Sequence, residues 1–332
     1  MKNMKYVFQR LADMNYQAMF QKLNELHAKT HKSRISLLLD MWQCATNYGA
    51  GYMDYDLFEM YQLTPEQRDT YLTRGRNNAL ILKYNDLSYA HFFDNKDEFN
   101  TRFGAYIKRD WINVKQEPRE AVEAFMETYQ TFIIKPLSGC CGRGIEKVSV
   151  SDFGSPAQCY DHLMELDFPC ELEQLIVQHA SVSAIYPHAI NTVRAVTICK
   201  DGVPHLICTY FRIGNNGKPV DNFNNGGMVA PVDEMTGLVM QDAIDKHKVL
   251  YEKHPMTGNA IKGFRFPYWQ EVRELVLNAS AEIPQMGYIG WDVAFTPDGP
   301  CLVEGNNFPG HDIYQLPEHT PSKIGMMKKF DV

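Results

Sequence analysis

Gly290-Trp291-Asp292-Val293-Ala294-Phe295-Thr296-Pro297-Asp298-Gly299-Pro300-Cys301-Leu302-Val303-Glu304-Gly305-Asn306 is the stretch on which the reading of this chain turns. Two apolar runs flank Pro-Asp-Gly, a combination that closes a β-hairpin because glycine accepts the positive φ a tight turn demands. With a loop of Pro297 to Gly299, Asp292 falls directly opposite Glu304. Glu304 and Asn306 are two residues apart and share a face of their strand. Three hard oxygen ligands, Asp292, Glu304 and Asn306, then converge on one spot. They suit Mg2+, which takes few carboxylates and completes its shell with water and phosphate oxygens. A sheet edge with three solvated polar residues would give the same pattern, so the sequence upstream has to decide.

The bulk properties narrow the choices. A chain of 332 residues can bury a core in two or three packed subdomains. A formal charge of −7 and a pI near 5.9 argue against a nucleic-acid role driven by phosphate attraction. Basic residues must therefore serve local purposes. The eight cysteines show no CxxC spacing, and Cys199, Cys208 and Cys301 lie in apolar runs. They read as small buried hydrophobes in a reducing, cytoplasmic compartment. The adjacent Cys140-Cys141 pair forms no zinc pattern. No apolar run reaches membrane-spanning length, and the N-terminus does not read as a signal peptide.

Residues 1–90 read as mostly helical. Val7, Leu11, Met14 and Ala18 recur at helical spacing, as do Ile35, Leu38, Leu39 and Trp42, and both stripes are expected to pack a core. Thr64, Pro65 and Gln67 spell a capping box with proline at the first helical position. Thr131-Phe132-Ile133-Ile134-Lys135-Pro136 reads as a buried strand that delivers a lysine to a turn. Further strand-like segments follow at 172–178, 192–199, 204–212 and 227–232, with Lys200-Asp201-Gly202-Val203 turning between two of them. A helix covers roughly 268–282, with Trp269, Val272, Val276, Ala279 and Ile283 on one stripe. The polar loop Gly214–Gly227 has the most mobile composition.

Several segments carry chemistry. Ser138-Gly139-Cys140-Cys141-Gly142-Arg143-Gly144 follows Lys135 directly, and its backbone N–H groups can wrap an anion. It is neither a Walker motif nor a Rossmann fingerprint, and a plain surface hairpin has the same composition. Glu173-Gln174-Leu175-Ile176 is an acid and an amide entering a β-rich run. Arg194 stands in the middle of the strand Asn191-Thr192-Val193-Arg194-Ala195-Val196-Thr197, where burial without an anionic partner is expensive. That partner is either a structural carboxylate or a phosphate. Arg212 ends the next strand, and Asn222, Asn224 and Asn225 crowd the loop beyond it.

The order of these parts, Lys96, Lys135 with its glycine loop, Glu173–Ile176, Arg194 and Arg212, then Asp…Glu-x-Asn, resembles the ATP-grasp superfamily. Within it the chain is similar to the sugar-transfer-associated ATP-grasp group, over roughly Asp94 to Gly310. The resemblance implies an α+β fold in which two subdomains, 91–180 and 181–332, grip ATP after a helical region 1–90. It implies that Lys96 and Lys135 contact phosphate and that Ser138, Gly139, Gly142, Arg143 and Gly144 cover the triphosphate. Glu173, Gln174, Leu175 and Ile176 would hold adenine, and Gln178 or His179 lies where the ribose would bind. Asp292, Glu304 and Asn306 would hold two Mg2+ ions, with Mn2+ as a substitute. Arg194 and Arg212 become the catalytic candidates, at the γ-phosphate and an acyl phosphate.

The implied activity is a carboxylate–amine or carboxylate–thiol ligase. γ-Phosphoryl transfer makes an acyl phosphate and a nucleophile then displaces phosphate, so the protein's task is positioning and charge neutralisation. The group's name suggests polysaccharide or sugar-conjugate biosynthesis, with a sugar acid or amino acid as one small-molecule substrate. A homodimer is compatible with this reading. The rival readings are a phosphotransferase and a nucleotide-binding module without catalysis. Competent residues at every lysine, arginine and metal position argue against the module.

Overall fold

A computed structural model of the chain describes residues 15–139 and 144–331. Val7, Leu11, Met14, Cys140, Cys141, Gly142 and Arg143 lie outside the described residues. The chain divides into two compact units, one formed by Met1–Lys83 with Gly310–Val332 and the other by Tyr84–Pro309.

The first unit is helical. Asn15 caps the helix Tyr16–Thr30 by accepting from the Ala18 amide at 3.0 Å, and Ser33 caps Arg34–Tyr48 through the Ser36 amide at 3.2 Å. The capping box expected at Thr64 and Gln67 is present. The core gathers Leu23, Leu26, Leu37, Met41, Cys44, Tyr55 and Phe58. The stripe Ile35, Leu38, Leu39 and Trp42 is not part of it. Trp42 is 53% and Ile35 74% exposed, and the helix buries Leu37, Met41 and Cys44 instead. Both sets have helical spacing. Periodicity shows that a helix has an apolar stripe but cannot choose between two stripes on one helix. The C-terminal residues close the same unit. Gln315 receives the Leu72 amide at 3.0 Å and donates to the Leu72 carbonyl at 2.6 Å, and His311 meets Asp54 at 2.8 Å.

The second unit contains two antiparallel sheets among the described residues. The four-stranded sheet is built from β1 (Trp111–Asn113), β2 (Thr131–Pro136), β3 (Glu146–Ser149) and β4 (Cys170–Gln174), in the order β1-β4-β2-β3. The glycine loop therefore joins two adjacent strands. The seven-stranded sheet runs β11-β10-β5-β6-β7-β8-β9. Its members are β5 (Thr192–Lys200), β6 (Val203–Ile213), β7 (Met228–Val232), β8 (Ala243–Asp245), β9 (Leu250–Tyr251), β10 (Tyr288–Thr296) and β11 (Gly299–Asn306). The two-residue turn between β5 and β6 needs positive φ at both positions, 53° at Asp201 and 78° at Gly202. Glycine takes that conformation without strain, and aspartate tolerates it.

One face of the large sheet is sealed. Trp291, Val293 and Phe295 join Val193, Ala195 and Phe211 in a core with Val272, Val276, Ala279 and Ile283 of the helix Trp269–Glu282 and its end. All five residues of the stripe expected on that helix are buried. The Trp291 indole N–H donates to Thr197 at 2.9 Å and Ser280 at 3.0 Å, which satisfies the polar atom of a fully buried ring. Since side chains alternate along a strand, residues 194, 212 and 292 point to the other face.

Candidate active site

The hairpin carries the first half of the site. Asp292 pairs with Glu304, as the sequence suggested, but by a different route. The loop is only Pro297 and Asp298, since Thr296 already pairs with Gly299. That register alone would set Asp292 against Val303. The pairing shifts by one residue between Asp292 and Val293, so Val303 is an extra residue, a β-bulge that turns Glu304 onto the Asp292 face. Asn306 joins them, its amide donating to Glu304 Oε1 at 3.4 Å and to the Gly290 carbonyl at 3.2 Å. Gly305 between them must lack a side chain, because a Cβ there would stand 2.9 Å from the Phe93 ring.

Asp292 is buried and is the counter-ion of both arginines. Arg194 lies beside it on β5 and donates through Nε and, at 2.9 Å, through Nη2, while Arg212 on β6 donates through Nη1. The mid-strand arginine thus has a carboxylate partner. Arg212 also grips Asp221 at 3.0 Å, and Asp221 accepts from the Thr192 amide at 3.2 Å. Burial by itself would raise the Asp292 carboxyl, but the two guanidiniums outweigh it and hold the group well below the usual carboxylate range. Asp221, also buried, goes the other way, because burial outweighs Arg212 there. Glu304 is crowded by protein and lies near the Asp292 charge, and both push its carboxyl up, yet one side of it is open to solvent.

The donor set is chemically suited to a hard cation. Among the described residues no cluster of three His, Cys, Asp or Glu side chains could hold a metal alone. The trio here supplies two carboxylates and one amide. Glu304 is the member open to solvent. Asp292 already accepts three hydrogen bonds, which leaves about one of its four lone-pair sites. Such a set fits Mg2+ that brings most of its shell from water and phosphate.

The second half lies on the small sheet. Lys135 on β2 donates to Glu173 on β4 at 2.6 Å. Glu173 is buried, and Arg109 holds it through Nε at 2.6 Å and Nη2 at 3.2 Å. Burial favours the neutral form of Glu173, but Arg109 and Lys135 more than offset it and keep the carboxyl ionised, below the usual range. Its neighbour Glu171 shares Asn100 with it, at 3.1 Å and 3.4 Å, and is pushed up to about 8 by burial and the Glu173 charge. Lys96 is drawn down by burial and by Lys135, and it feels Glu171, Glu304 and Glu173 as well.

The remaining sequence candidates are placed as follows. Ser138, Gly139 and Gly144 are exposed, the Lys96 ammonium reaches the Gly139 carbonyl at 3.5 Å, and Gly142 and Arg143 fall outside the described residues. Gln174 pairs with Asp110 through its backbone and its side-chain oxygen. Leu175 and Ile176 leave the strand half-exposed. His179 caps the helix Ala180–Ile185 through Ser181, and Gln178 accepts from the Asn191 amide at 2.6 Å. Arg109, Asn100, Glu171 and Asp221 were not picked out as site residues from the sequence. Arg109 follows a short helix with no motif around it. Asp221 does stand at the head of the asparagine-rich loop, and its place beside that loop was the available signal.

A family model described as sugar-transfer associated ATP-grasp matches residues 162–328, just over half of the chain. Among solved structures the chain is similar to the ATP-grasp ligase PsnB complexed with minimal precursor, at 14% identity and a TM-score of 0.43, over 74% of this chain and 64% of that one. It is similar to D-alanyl-alanine synthetase A from Vibrio cholerae O1 biovar eltor, at 13% identity and 0.40, over 72% and 60%. It is also similar to the D-alanine-D-alanine ligase from Coxiella burnetii, at 11% identity and 0.43, over 79% and 64%. In each case it spans less than two thirds of the other protein's length. No curated protein matches the chain in sequence.

Proposed function

The chain belongs to the sugar-transfer associated ATP-grasp family, and from that premise we propose that it is an ATP-dependent ligase that joins a small carboxylate to an amine or thiol through an acyl phosphate. Subdomains 91–180 and 181–332 are the two halves of the grip in this reading. The carboxylate attacks the γ-phosphorus of ATP, ADP leaves, and the nucleophile then displaces phosphate. A carboxylate is a poor acyl donor until its oxygen is phosphorylated, so ATP is consumed in making the leaving group.

Each group follows from its surroundings. Lys135, held at 2.6 Å by Glu173, stands ready to exchange that carboxylate for phosphate oxygens, and Lys96 is the second phosphate-side cation in this reading. Asp292 keeps the Arg194 and Arg212 guanidiniums on the same face as Glu304 and Asn306, where they can meet the γ-phosphate and the acyl phosphate. Glu304 and Asn306, with the remaining site on Asp292, would hold Mg2+. Bound there, Mg2+ neutralises charge on the phosphate oxygens. The loop 138–144 covers the triphosphate, and 173–176 runs along adenine. A sugar acid or amino acid is the substrate class we favour, from the family's association with sugar transfer.

The observation that supports this reading most is the gathering of two carboxylates, an amide and two arginines on one face of the large sheet. Product analysis with candidate carboxylates and amines tests it. ADP with free phosphate and a condensed product supports the ligase. ADP with a stable phosphorylated product makes the protein a phosphotransferase. Tight ATP binding with neither product makes it a binding module.

A further inference from the structure

Arg109 has no part in the chemistry above, yet it touches both halves of the site. It is buried between the helix Gly104–Ile107 and β1. One edge of its guanidinium holds Glu173, the carboxylate that also holds Lys135. The other edge donates to two backbone carbonyls of β11, Leu302 at 2.6 Å and Val303 at 3.2 Å. Val303 is the bulge residue that turns Glu304 onto the Asp292 face.

We propose that Arg109 is a positioning residue that couples the phosphate-side lysine to the metal-side carboxylate by bracing Glu173 against the β11 bulge. The proposal rests on the nucleotide site proposed above for its purpose, but not for its geometry. A bulge interrupts a ladder and leaves backbone groups without their strand partner. β11 is also the edge strand of its sheet, and Arg109 donates to its carbonyls from outside the hairpin. Its planar fork makes two bonds to the carboxylate and one to each of two carbonyls from three separate nitrogens, more than the three donors on a lysine's single nitrogen can supply. Glu173 in turn needs Arg109 to stay ionised in a buried place, and an ionised Glu173 sets where Lys135 points. The positions of Lys135 and Glu304, on different sheets, are thus fixed by one shared group.

The full-length chain is compared with Arg109→Lys and Glu173→Gln, first by hydrogen exchange without any ligand. The brace predicts faster exchange of the 302–306 amides in both variants, by roughly tenfold, as expected when one buried hydrogen bond is lost. Glu173→Gln is the decisive variant, because Glu173 touches neither Val303 nor Glu304 in the contacts described. It also carries the test if Arg109→Lys fails to fold. Wild-type exchange at 302–306 in a folded Glu173→Gln protein would overturn the proposal. A second reading is calorimetric titration of ADP across a range of Mg2+ concentrations. The factor by which Mg2+ tightens ADP should shrink in Arg109→Lys, and an unchanged factor counts against the coupling. A wild-type chain that binds no ADP overturns the proposed function instead, and the exchange result still decides the brace.

Discussion

Asp292→Asn and Glu304→Gln both remove one negative charge from the hairpin, and the structure gives them different consequences. Asp292 is buried and accepts three hydrogen bonds from two guanidiniums, whereas Glu304 is open to solvent. An asparagine at 292 keeps one acceptor and turns an N–H2 group toward a cation. Arg212 retains Asp221 at 3.0 Å. Breaking a buried ion pair from one side costs about 3–5 kcal/mol, and the surviving Asp221 contact favours the lower end. At roughly 2–4 °C per kcal/mol for a unit of this size, Tm should drop by about 6–12 °C. Glu304→Gln should stay within about 0.5 kcal/mol of wild type, as an exposed substitution does. Both variants should lose Mg2+-dependent ATP turnover. Calorimetric melting without ligand separates them. The pH dependence adds a check of sign. Asp292 is depressed in the folded state, so its contribution is fully present above the ordinary aspartate value of about 3.9 and is lost only as pH falls further. The gap between wild type and Asp292→Asn should therefore hold from pH 7 to 5 and close below about 4. Equal Tm losses for the two variants, or a gap that closes near pH 6, would refute the ion-pair account.

Two further outcomes follow from burial. Glu171 is pushed up to about 8, so the folded chain binds a proton that the unfolded chain releases near the ordinary glutamate value of about 4.3. Its ionisation must lower stability as pH rises between those values, and Glu171→Gln should flatten the fall of Tm from pH 5 to 8; a parallel fall in both proteins would contradict it. In the helical unit, Trp42→Ser should change stability by about 0.5 kcal/mol or less, while Leu37→Ala should cost about 2–5 kcal/mol in urea unfolding. The reverse order would return the core to the Ile35–Trp42 stripe.

How much of this was legible in the sequence depends on how local each signal was. The Asp292–Glu304 pairing, the Asp201-Gly202 turn and the stripe of Trp269–Glu282 were readable because turn chemistry and periodicity act over a few residues. The requirement of Arg194 for an anion was readable from the expense of burying a charge, but not which anion it would find. The Val303 bulge was hidden, since a three-residue loop and a two-residue loop plus a bulge give the same pairing. Arg109 was invisible because its partners, Glu173, Leu302 and Val303, are remote in the chain and two of them are backbone carbonyls. The buried face of Arg34–Tyr48 was misread because that helix carries two apolar stripes, and only tertiary packing chooses between them.

The central claim is that one nucleotide bridges the two sheets of the second unit. It is tested most directly by mapping hydrogen exchange with and without Mg-ATP in wild type and in Lys135→Met. The account predicts a higher Tm with Mg-ATP, since the ligand binds only the folded state. It also predicts protection at both 135–144 and 302–306 in the wild-type chain, and loss of protection at both in Lys135→Met. Protection confined to residues 15–83, or binding of Mg-ATP that leaves both segments exchanging as before, would contradict it.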